Sequence, residues 1–129
     1  MKQSESIAEI AKALIAAQAE FPTIPKTKEV LVATQRGSYT FKYAPLEDTL
    51  KLLRPILTAH GLGVTQGADG ESLVTTVFHT SGEWISHSMP LPDINNQQQY
   101  GGSFTYRRRY SLKAALGLET DEDDADRSF

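Results

Sequence analysis

The segment of this chain best suited to binding a ligand is a run of arginines with a tyrosine on either side. Arg107, Arg108 and Arg109 lie between Tyr106 and Tyr110, shortly after a pair of glycines. Guanidinium groups bind phosphate oxygens through paired hydrogen bonds and stack on flat rings, and tyrosine rings offer stacking faces to nucleobases. These residue types therefore favour a site for phosphate groups and bases.

The arginines are expected on a helix over residues 100–118 that is entered through Gly101-Gly102-Ser103. Successive helical residues point about 100° apart, so the three arginines cannot share one face and each interrupts an apolar arc. Burying unpaired charge is costly. Subunit packing on one side, with phosphate or carboxylate partners on another, would resolve the conflict. The glycines would let a ligand approach the backbone, and the helix start would add the positive end of its dipole.

A second explanation of the same helix is equally open on residue types alone. The tyrosines would belong to the core, and the arginines would form ion pairs with Glu47, Asp48 or the acidic C-terminus. Such a helix would serve the fold or subunit contacts and bind no nucleic acid.

Another group of basic and aromatic residues is expected on a β-hairpin. Residues 29–34 and 38–43 are rich in strand-forming residues and flank the turn sequence Gln35-Arg36-Gly37. Lys42 and Tyr43 alternate at the end of this hairpin, with Lys26 and Lys28 nearby in sequence. Alternating basic and aromatic side chains can follow a phosphate backbone. A solvated edge strand that lysine protects from aggregation is at least as common an explanation.

Two further helices are expected to support these segments. Ser6 and Glu9 have the spacing of a capping box at the start of a helix over residues 6–20. The next helix should span residues 46–60, with Gly61 as its left-handed cap. Pro55 should kink it or divide it in two. Its apolar side would carry Leu46, Leu50, Leu53 and Leu57.

The remaining strands complete an α+β fold with one hairpin-rich antiparallel sheet. We expect strands over residues 62–66, 72–79 and 83–89, and a mobile loop over residues 90–99. A two-residue turn at Ser81-Gly82 would pair Phe78 with Ile85 and Val74 with Met89, leaving His79 and Trp84 paired on the opposite side. A turn one residue longer would break this register.

Composition limits the class of protein. The 129 residues fit one domain, and the absence of cysteine excludes disulfides, thiolate metal sites and thiol nucleophiles. No apolar run approaches the roughly 20 residues of a membrane span. We find no phosphate-binding glycine loop, no catalytic serine–histidine pair and no paired carboxylates. An intracellular protein without membrane contact, cofactor, metal ion or enzymatic activity is therefore expected.

The C-terminus is acidic, whereas the rest of the chain is weakly basic. Residues 119–129 contain six acids and one arginine, which leaves residues 1–118 with twelve basic and ten acidic residues, a net charge of +2. We therefore divide the chain into a body, 1–118, and an acidic tail, 119–129. The acids at 121–124 lack the glycine and spacing of a calcium loop, so a solvated tail that competes for the basic surface is favoured over a metal site.

Several blocks spread over nearly the whole chain follow one another in a characteristic order. They are residues 6–14 with 18–21, FKYAPLE at 41–47, residues 53–62, HTSGEWI at 79–85, and GSFTYRRRYSL at 102–112 followed by 116–118 and the acids at 121–124. In this ordered set the chain resembles the Erf (essential recombination function) family of bacteriophage single-strand annealing proteins. It departs from the family at residues 30–34, where a strand-like run replaces a short lysine-rich connection.

The resemblance implies a hairpin-rich sheet crossed by a helix, assembling into rings or filaments. It implies a protein of the bacterial cytoplasm that binds and anneals single-stranded DNA without ATP during phage homologous recombination, through an annealed duplex intermediate. A phage exonuclease or a host single-strand-binding protein is a candidate partner. The family positions that match are Lys42, Tyr43, Arg107, Arg108 and Arg109, and Tyr106, Lys113 and Arg36 complete the expected DNA-binding set.

Two other classes of function stay open. One is a structural, oligomerising phage protein without annealing activity, in which the arginines form ion pairs between subunits. The other is a divalent-metal nuclease that uses the acids at 121–124. A nuclease would cleave the strand in a reaction that EDTA abolishes, whereas the structural protein would neither bind nor cleave DNA.

Overall fold

Three helices and six strands make up residues 1–120, the part of the chain that the computed structural model describes. The helices are α1 (Ala8–Gln18), α2 (Leu46–Ala59) and α3 (Gln97–Leu116). The strands are β1 (Lys2–Gln3), β2 (Lys28–Thr34), β3 (Gly37–Tyr43), β4 (Leu62–Asp69), β5 (Ser72–His79) and β6 (Trp84–Pro90). The expected α+β class and element order are confirmed, with β1 as an addition.

The strands form two antiparallel sheets, so the expectation of a single sheet was wrong. One sheet has the order β1-β6-β5-β4, and β2 with β3 forms a separate hairpin. The hairpin meets the rest of the fold through Phe41 and Tyr43, whose rings line a cavity together with α2 and α3. Side-chain packing, and not strand pairing, therefore attaches the hairpin to the body.

The core lies between the helices and one face of the larger sheet. All three helices contact this sheet. The leucines predicted for the apolar side of α2 are confirmed, because Leu46, Leu53 and Leu57 are buried and Leu50 packs against them. Buried partners come from the other elements, namely Ile10, Val77, Leu112 and Leu116.

Pro55 does not divide α2, and the expectation of two shorter helices was wrong. The helix runs from Leu46 to Ala59 with Pro55 inside it. Proline lacks the N–H that would bond the carbonyl one turn earlier. Pro55 and Lys51 are both exposed, so water can satisfy that carbonyl. The interruption is therefore tolerated on the solvent side while the buried leucines stay in line.

The β5–β6 turn is one residue longer than expected, and the predicted register is wrong. Gly82 N–H donates to His79 O and His79 N–H donates to Glu83 O, both at 2.9 Å, which encloses the turn Thr80-Ser81-Gly82. The Ser81 hydroxyl lies 2.9 Å from His79 Nδ1 and stabilises this turn. The local hydrogen bonds therefore select the longer turn.

The longer turn changes which side chains share a face. Phe78 pairs with Trp84 and Val77 with Ile85, whereas Val74 pairs with Ser88 and not with Met89. A shift of one residue moves a whole set of side chains to the opposite face. Phe78 and Trp84 are consequently exposed, at 42% and 37%.

The N-terminus of α1 is capped from another element, which corrects the expected capping box. The box does not form, since the N-cap is Ile7 and Ser6 Oγ accepts only a long hydrogen bond, 3.4 Å, from the Ala8 N–H. Instead, Glu83 Oε1, just after the β5–β6 turn, accepts hydrogen bonds from the backbone N–H groups of Glu9 and Ile10, both at 2.8 Å. A carboxylate at this position also favours the positive end of the helix dipole. Glu83 thus ties α1 to the larger sheet.

Replacing Glu83 with alanine should lower the free energy of unfolding by about 1–2 kcal/mol, because it removes an acceptor shared by two backbone donors. Chemical denaturation measures the change. Ser6→Ala is the matched control and should alter stability by less than about 0.5 kcal/mol. Equal losses of stability in Glu83→Ala and Ser6→Ala would show that Glu83 does not cap α1 more strongly than the local sequence does.

Candidate nucleic-acid interface

A cavity of about 290 Å³ lies between the hairpin and two of the helices. The β3 strand supplies Phe41 and Tyr43, and α2 supplies Leu46 and Thr49. The α3 helix contributes its middle turns, namely Tyr106, Arg109, Tyr110, Leu112 and Lys113. The two basic and aromatic segments singled out in the sequence, more than sixty residues apart, are therefore brought to one place.

Arg109 forms the centre of this arrangement. Its guanidinium carbon lies 4.2 Å from the centroid of the Tyr43 ring and 5.6 Å from that of Tyr106. Tyr106 in turn contacts Tyr110, with ring centroids 4.6 Å apart and planes tilted by 49°. A guanidinium held against aromatic faces has a fixed position, and its planar hydrogen-bond donors have a fixed orientation. The cluster is thus a preformed cation beside stacking surfaces.

A second, more open cleft of about 580 Å³ adjoins the same cluster. It shares Tyr43, Leu46, Tyr106 and Arg109 with the cavity. Residues of the first half of α3 and of the start of α2 complete it, namely Gly102, Thr105, Pro45 and Glu47. Arg109, Tyr43 and Tyr106 therefore border both the cleft and the cavity, and a ligand in either space could contact them.

The charges around the cavity have one sign. Lys26, Arg109 and Lys113 line it, and within residues 1–120 no lining side chain is acidic. Lys113 Nζ donates to Thr120 Oγ1 at 3.2 Å, which holds the ammonium at the rim. Lys42 lies next to Tyr43 on the exposed side of β3. The charged side chains that line the cavity in residues 1–120 are thus all cationic although the body as a whole carries little net charge, a condition suited to an anionic ligand.

The other arginines of the predicted set lie elsewhere. Arg107 Nε donates to Pro90 O at 3.1 Å, and its Nη1 donates to Ser103 Oγ. Arg108 is half-buried, and its Nε has no hydrogen-bond partner in the part of the chain that the structure describes. Arg36 is exposed in the hairpin turn. Of the three consecutive arginines, only Arg109 reaches the cavity.

The acids expected as ion-pair partners are engaged differently. Glu47 lies 3.6 Å from Lys51 on the same helix. Asp48 accepts a hydrogen bond from Thr27 Oγ1 at 3.2 Å. The acids of the tail at 121–124 lie outside the described residues. The expectation that these arginines form ion pairs within the body is therefore not met at either carboxylate of α2.

Sequence reasoning missed part of the cavity wall. Thr49 is buried on α2, and Ile24 comes from an irregular segment between α1 and β2. Helical spacing could have identified Thr49, because it lies three residues after Leu46 and four before Leu53. Nothing in the local sequence marks Ile24, whose position follows from a bridge to Thr120.

The paired glycines lie inside α3 and not at its start, which corrects the expected dipole contribution. The helix begins at Gln97, where Asn96 Oδ1 accepts from the Gln99 N–H at 3.0 Å. A Cβ added at Gly101 or Gly102 would meet nothing within 4 Å. Packing within the described fold therefore does not require either glycine, although each weakens a helix interior. The small size of Gly102 leaves space in the cleft beside Arg109.

Alanine at Gly101 should raise the free energy of unfolding by about 0.5–1 kcal/mol, and alanine at Gly102 should do the same, because alanine restricts the unfolded chain and favours the helix. Thermal or chemical denaturation measures both. Gly102 lines the cleft and Gly101 does not. Loss of stability in either variant would show that the backbone there is not ordinary helix.

The side chains of residues 1–120 allow few kinds of chemistry at this site. No group of three or more histidine, cysteine, aspartate or glutamate side chains could hold a metal ion there. None of the helices in that range is long and apolar enough to cross a membrane. What the cleft and cavity offer is stacking, cation–π contact and phosphate binding.

Comparison with known proteins gives one match. A family model described as the ERF superfamily matches residues 10–129. No curated protein and no solved structure matches the chain. The matched range contains the hairpin, α3 and every residue that lines the cavity or the cleft. Since the match omits only the first nine residues, the resemblance seen in the sequence is confirmed, and the chain belongs to the ERF superfamily.

Proposed function

We propose that this protein binds single-stranded DNA and anneals complementary strands without ATP in phage homologous recombination. Membership in the ERF superfamily supports the general class. The observation that carries the proposal is the position of Arg109, which stacks on Tyr43 between a cleft and a cavity. Cationic grooves with aromatic stacking platforms are the usual means of binding single strands without sequence preference.

The proposed contacts explain how a weakly basic subunit binds DNA. Arg109, Lys113 and Lys42 would contact phosphates, while Tyr43 and Tyr106 would stack on bases. Contacts to the sugar–phosphate chain carry no sequence information, so pairing with a complementary strand supplies the specificity. Duplex formation releases free energy, and annealing therefore needs no nucleotide hydrolysis. The sequence contains no phosphate-binding glycine loop, which agrees with this mechanism.

Self-assembly into rings or filaments is part of the proposal. Phe78 and Trp84 are exposed on the face of the larger sheet opposite the core. Leu31 on the hairpin is exposed at 67%. Exposed apolar side chains favour contacts between subunits. Repeating a weak DNA site around an assembly multiplies its affinity, so each subunit needs few cations.

The proposed place of action is the cytoplasm of the bacterial host. An annealing protein requires single strands, so a phage exonuclease that resects duplex ends is a suitable partner. A host single-strand-binding protein that occupies the same strands is the other partner we propose. The product of the reaction is the annealed duplex, which the site releases when its bases pair.

Fluorescence anisotropy with a labelled oligodeoxynucleotide tests DNA binding at two salt concentrations. We expect saturable binding of the single strand that weakens as salt increases, and weaker binding of a duplex of the same length, whose bases are already stacked. Absence of binding at both salt concentrations would favour a structural, oligomerising phage protein. Strand cleavage that EDTA abolishes would favour a nuclease.

A further inference from the structure

We infer that the cavity between β3, α2 and α3 receives one unstacked nucleobase of the bound strand in each subunit. This inference rests on the proposed function, because it assumes that the strand passes through the cleft beside Arg109. It adds a specific pocket for one base to a site described above by phosphate contacts and by stacking on Tyr43 and Tyr106. The ligand class is a nucleobase attached to the sugar–phosphate chain.

The size of the cavity favours a single base. Its volume of about 290 Å³ lies at the lower end of the range for small-molecule pockets, roughly 300–1,000 Å³. Protein interiors are close-packed and contain few voids larger than a water molecule. Two core leucines, Leu112 and Leu118, line this space without filling it. The cavity is therefore suited to a small planar occupant such as a single base.

The lining of the cavity favours an aromatic occupant. Phe41, Tyr43, Tyr106 and Tyr110 all contribute to its wall. Aromatic rings prefer offset or tilted arrangements with other rings, and every nucleobase has a face that can stack in this way. Aliphatic side chains, among them Leu46 of α2 and Leu112 of α3, also line the cavity. A base that enters the cavity loses its stacking contacts with neighbouring bases, and the aromatic side chains of the cavity would replace those contacts.

The charges favour a base that carries a phosphate. Three cationic residues, Lys26, Arg109 and Lys113, line the cavity, and among residues 1–120 none of the lining side chains is acidic. Arg109 also lines the cleft, so its guanidinium can meet a phosphate in the cleft while a base occupies the cavity. An uncharged aromatic ligand would make no use of these three cations.

The pocket would have a consequence for annealing. One base in each subunit would be held away from the complementary strand, and the bases between successive pockets would remain free to pair. Stacking in the pocket tolerates any sequence, so the anchor would act at every position along the strand. Repetition around an assembly would then fix the spacing of the strand on the protein.

Two probes of equal length separate base binding from phosphate binding. One is an oligothymidylate, and the other is the same sugar–phosphate chain without bases. We expect the base-free chain to bind about tenfold more weakly, since stacking of a base contributes measurably to each site. Equal affinity for the two probes would overturn the base pocket and leave the proposed function standing. Binding of neither probe would overturn both.

A variant that fills the cavity tests whether the preference for a chain with bases arises there. Ala44 lines the cavity without contributing charge or an aromatic ring. Ala44→Leu should bind both probes with the affinity that the wild type shows for the base-free chain, and with the same dependence on salt. Thr49→Met on α2 fills the cavity from another side and should give the same result. It replaces Ala44→Leu as the test if that variant does not fold. Retention of the full preference for thymidylate in a folded, filled variant would contradict the pocket.

The matched control uses an alanine outside the cavity. Ala114 is exposed on α3. Ala114→Leu adds the same side chain as Ala44→Leu and should leave the tenfold preference for thymidylate unchanged. If Ala114→Leu lost that preference as well, the effect would not arise from filling the cavity, and the pocket would be contradicted.

Discussion

Replacing Arg109 with alanine is expected to weaken binding to single-stranded DNA by about 10-fold to 100-fold. The substitution removes a guanidinium whose carbon lies 4.2 Å from the centroid of the Tyr43 ring and which lines both the cleft and the cavity. The dependence of the logarithm of affinity on the logarithm of salt concentration should become less steep by about one unit. Anisotropy titrations at several salt concentrations measure both effects.

Three further variants serve as comparisons for Arg109→Ala. Arg109→Lys keeps the charge and loses the planar group, so it should retain the salt dependence and lose part of the affinity. Arg107→Ala should have a smaller effect, because that guanidinium donates to Pro90 O and Ser103 Oγ. Arg54→Ala removes an exposed arginine of α2 and should change little. Equal losses in Arg54→Ala and Arg109→Ala would mean that only net charge matters.

Deleting residues 121–129 is expected to tighten DNA binding by about tenfold at low salt. The deleted segment carries five acids and one arginine, a net charge of −4. It is joined to Thr120, a residue of the cavity wall that Lys26, Arg109 and Lys113 also line. Exposed charge pairs contribute roughly 0.2–1 kcal/mol each. A few of them, competing with DNA for the basic surface, give about tenfold in affinity.

The deletion begins after Thr120 for a structural reason. Ile24 N–H donates to Glu119 O at 2.8 Å, and Ile24 also bridges to Thr120, so removal of these two residues would disturb the cavity wall. A full-length variant with the five acids replaced by their amides is the control for charge. The two proteins should bind alike, and both should match the wild type at high salt, where exposed charges are screened. Unchanged affinity at low salt would leave the tail without a competing role.

The elements could be predicted from the sequence because periodicity and turn residues encode them locally. The leucines of α2 recur at helical spacing, and three of them are buried in the structure. The Gln35-Arg36 turn connects β2 to β3 as expected, whereas β4 runs to Asp69, three residues beyond its expected end. The grouping of Lys42 and Tyr43 with the arginines rested on family resemblance, and the structure brings Tyr43 to Arg109 through side-chain contact.

What the sequence could not supply depends on hydrogen bonds and packing that residue types alone do not specify. The β5–β6 register is set by a hydrogen bond between Ser81 and His79, and one residue of slip exchanges the faces. The cap of α1 comes from Glu83, more than seventy residues away. Residue types also gave no means of separating Arg109 from Arg107 and Arg108. Arg107 contacts Pro90 of β6 and Arg109 contacts Tyr43 of the hairpin, and only the packed structure shows this difference.

The most direct test of this account is the rate at which two complementary oligodeoxynucleotides anneal in the absence of any nucleotide triphosphate. A pair of fluorophores on the two strands follows duplex formation over time. The account predicts that the protein accelerates annealing and that Arg109→Ala, at the same concentration and with the same thermal stability, loses most of the acceleration. Annealing no faster than that of the oligonucleotides alone, or fully retained by Arg109→Ala, would contradict it.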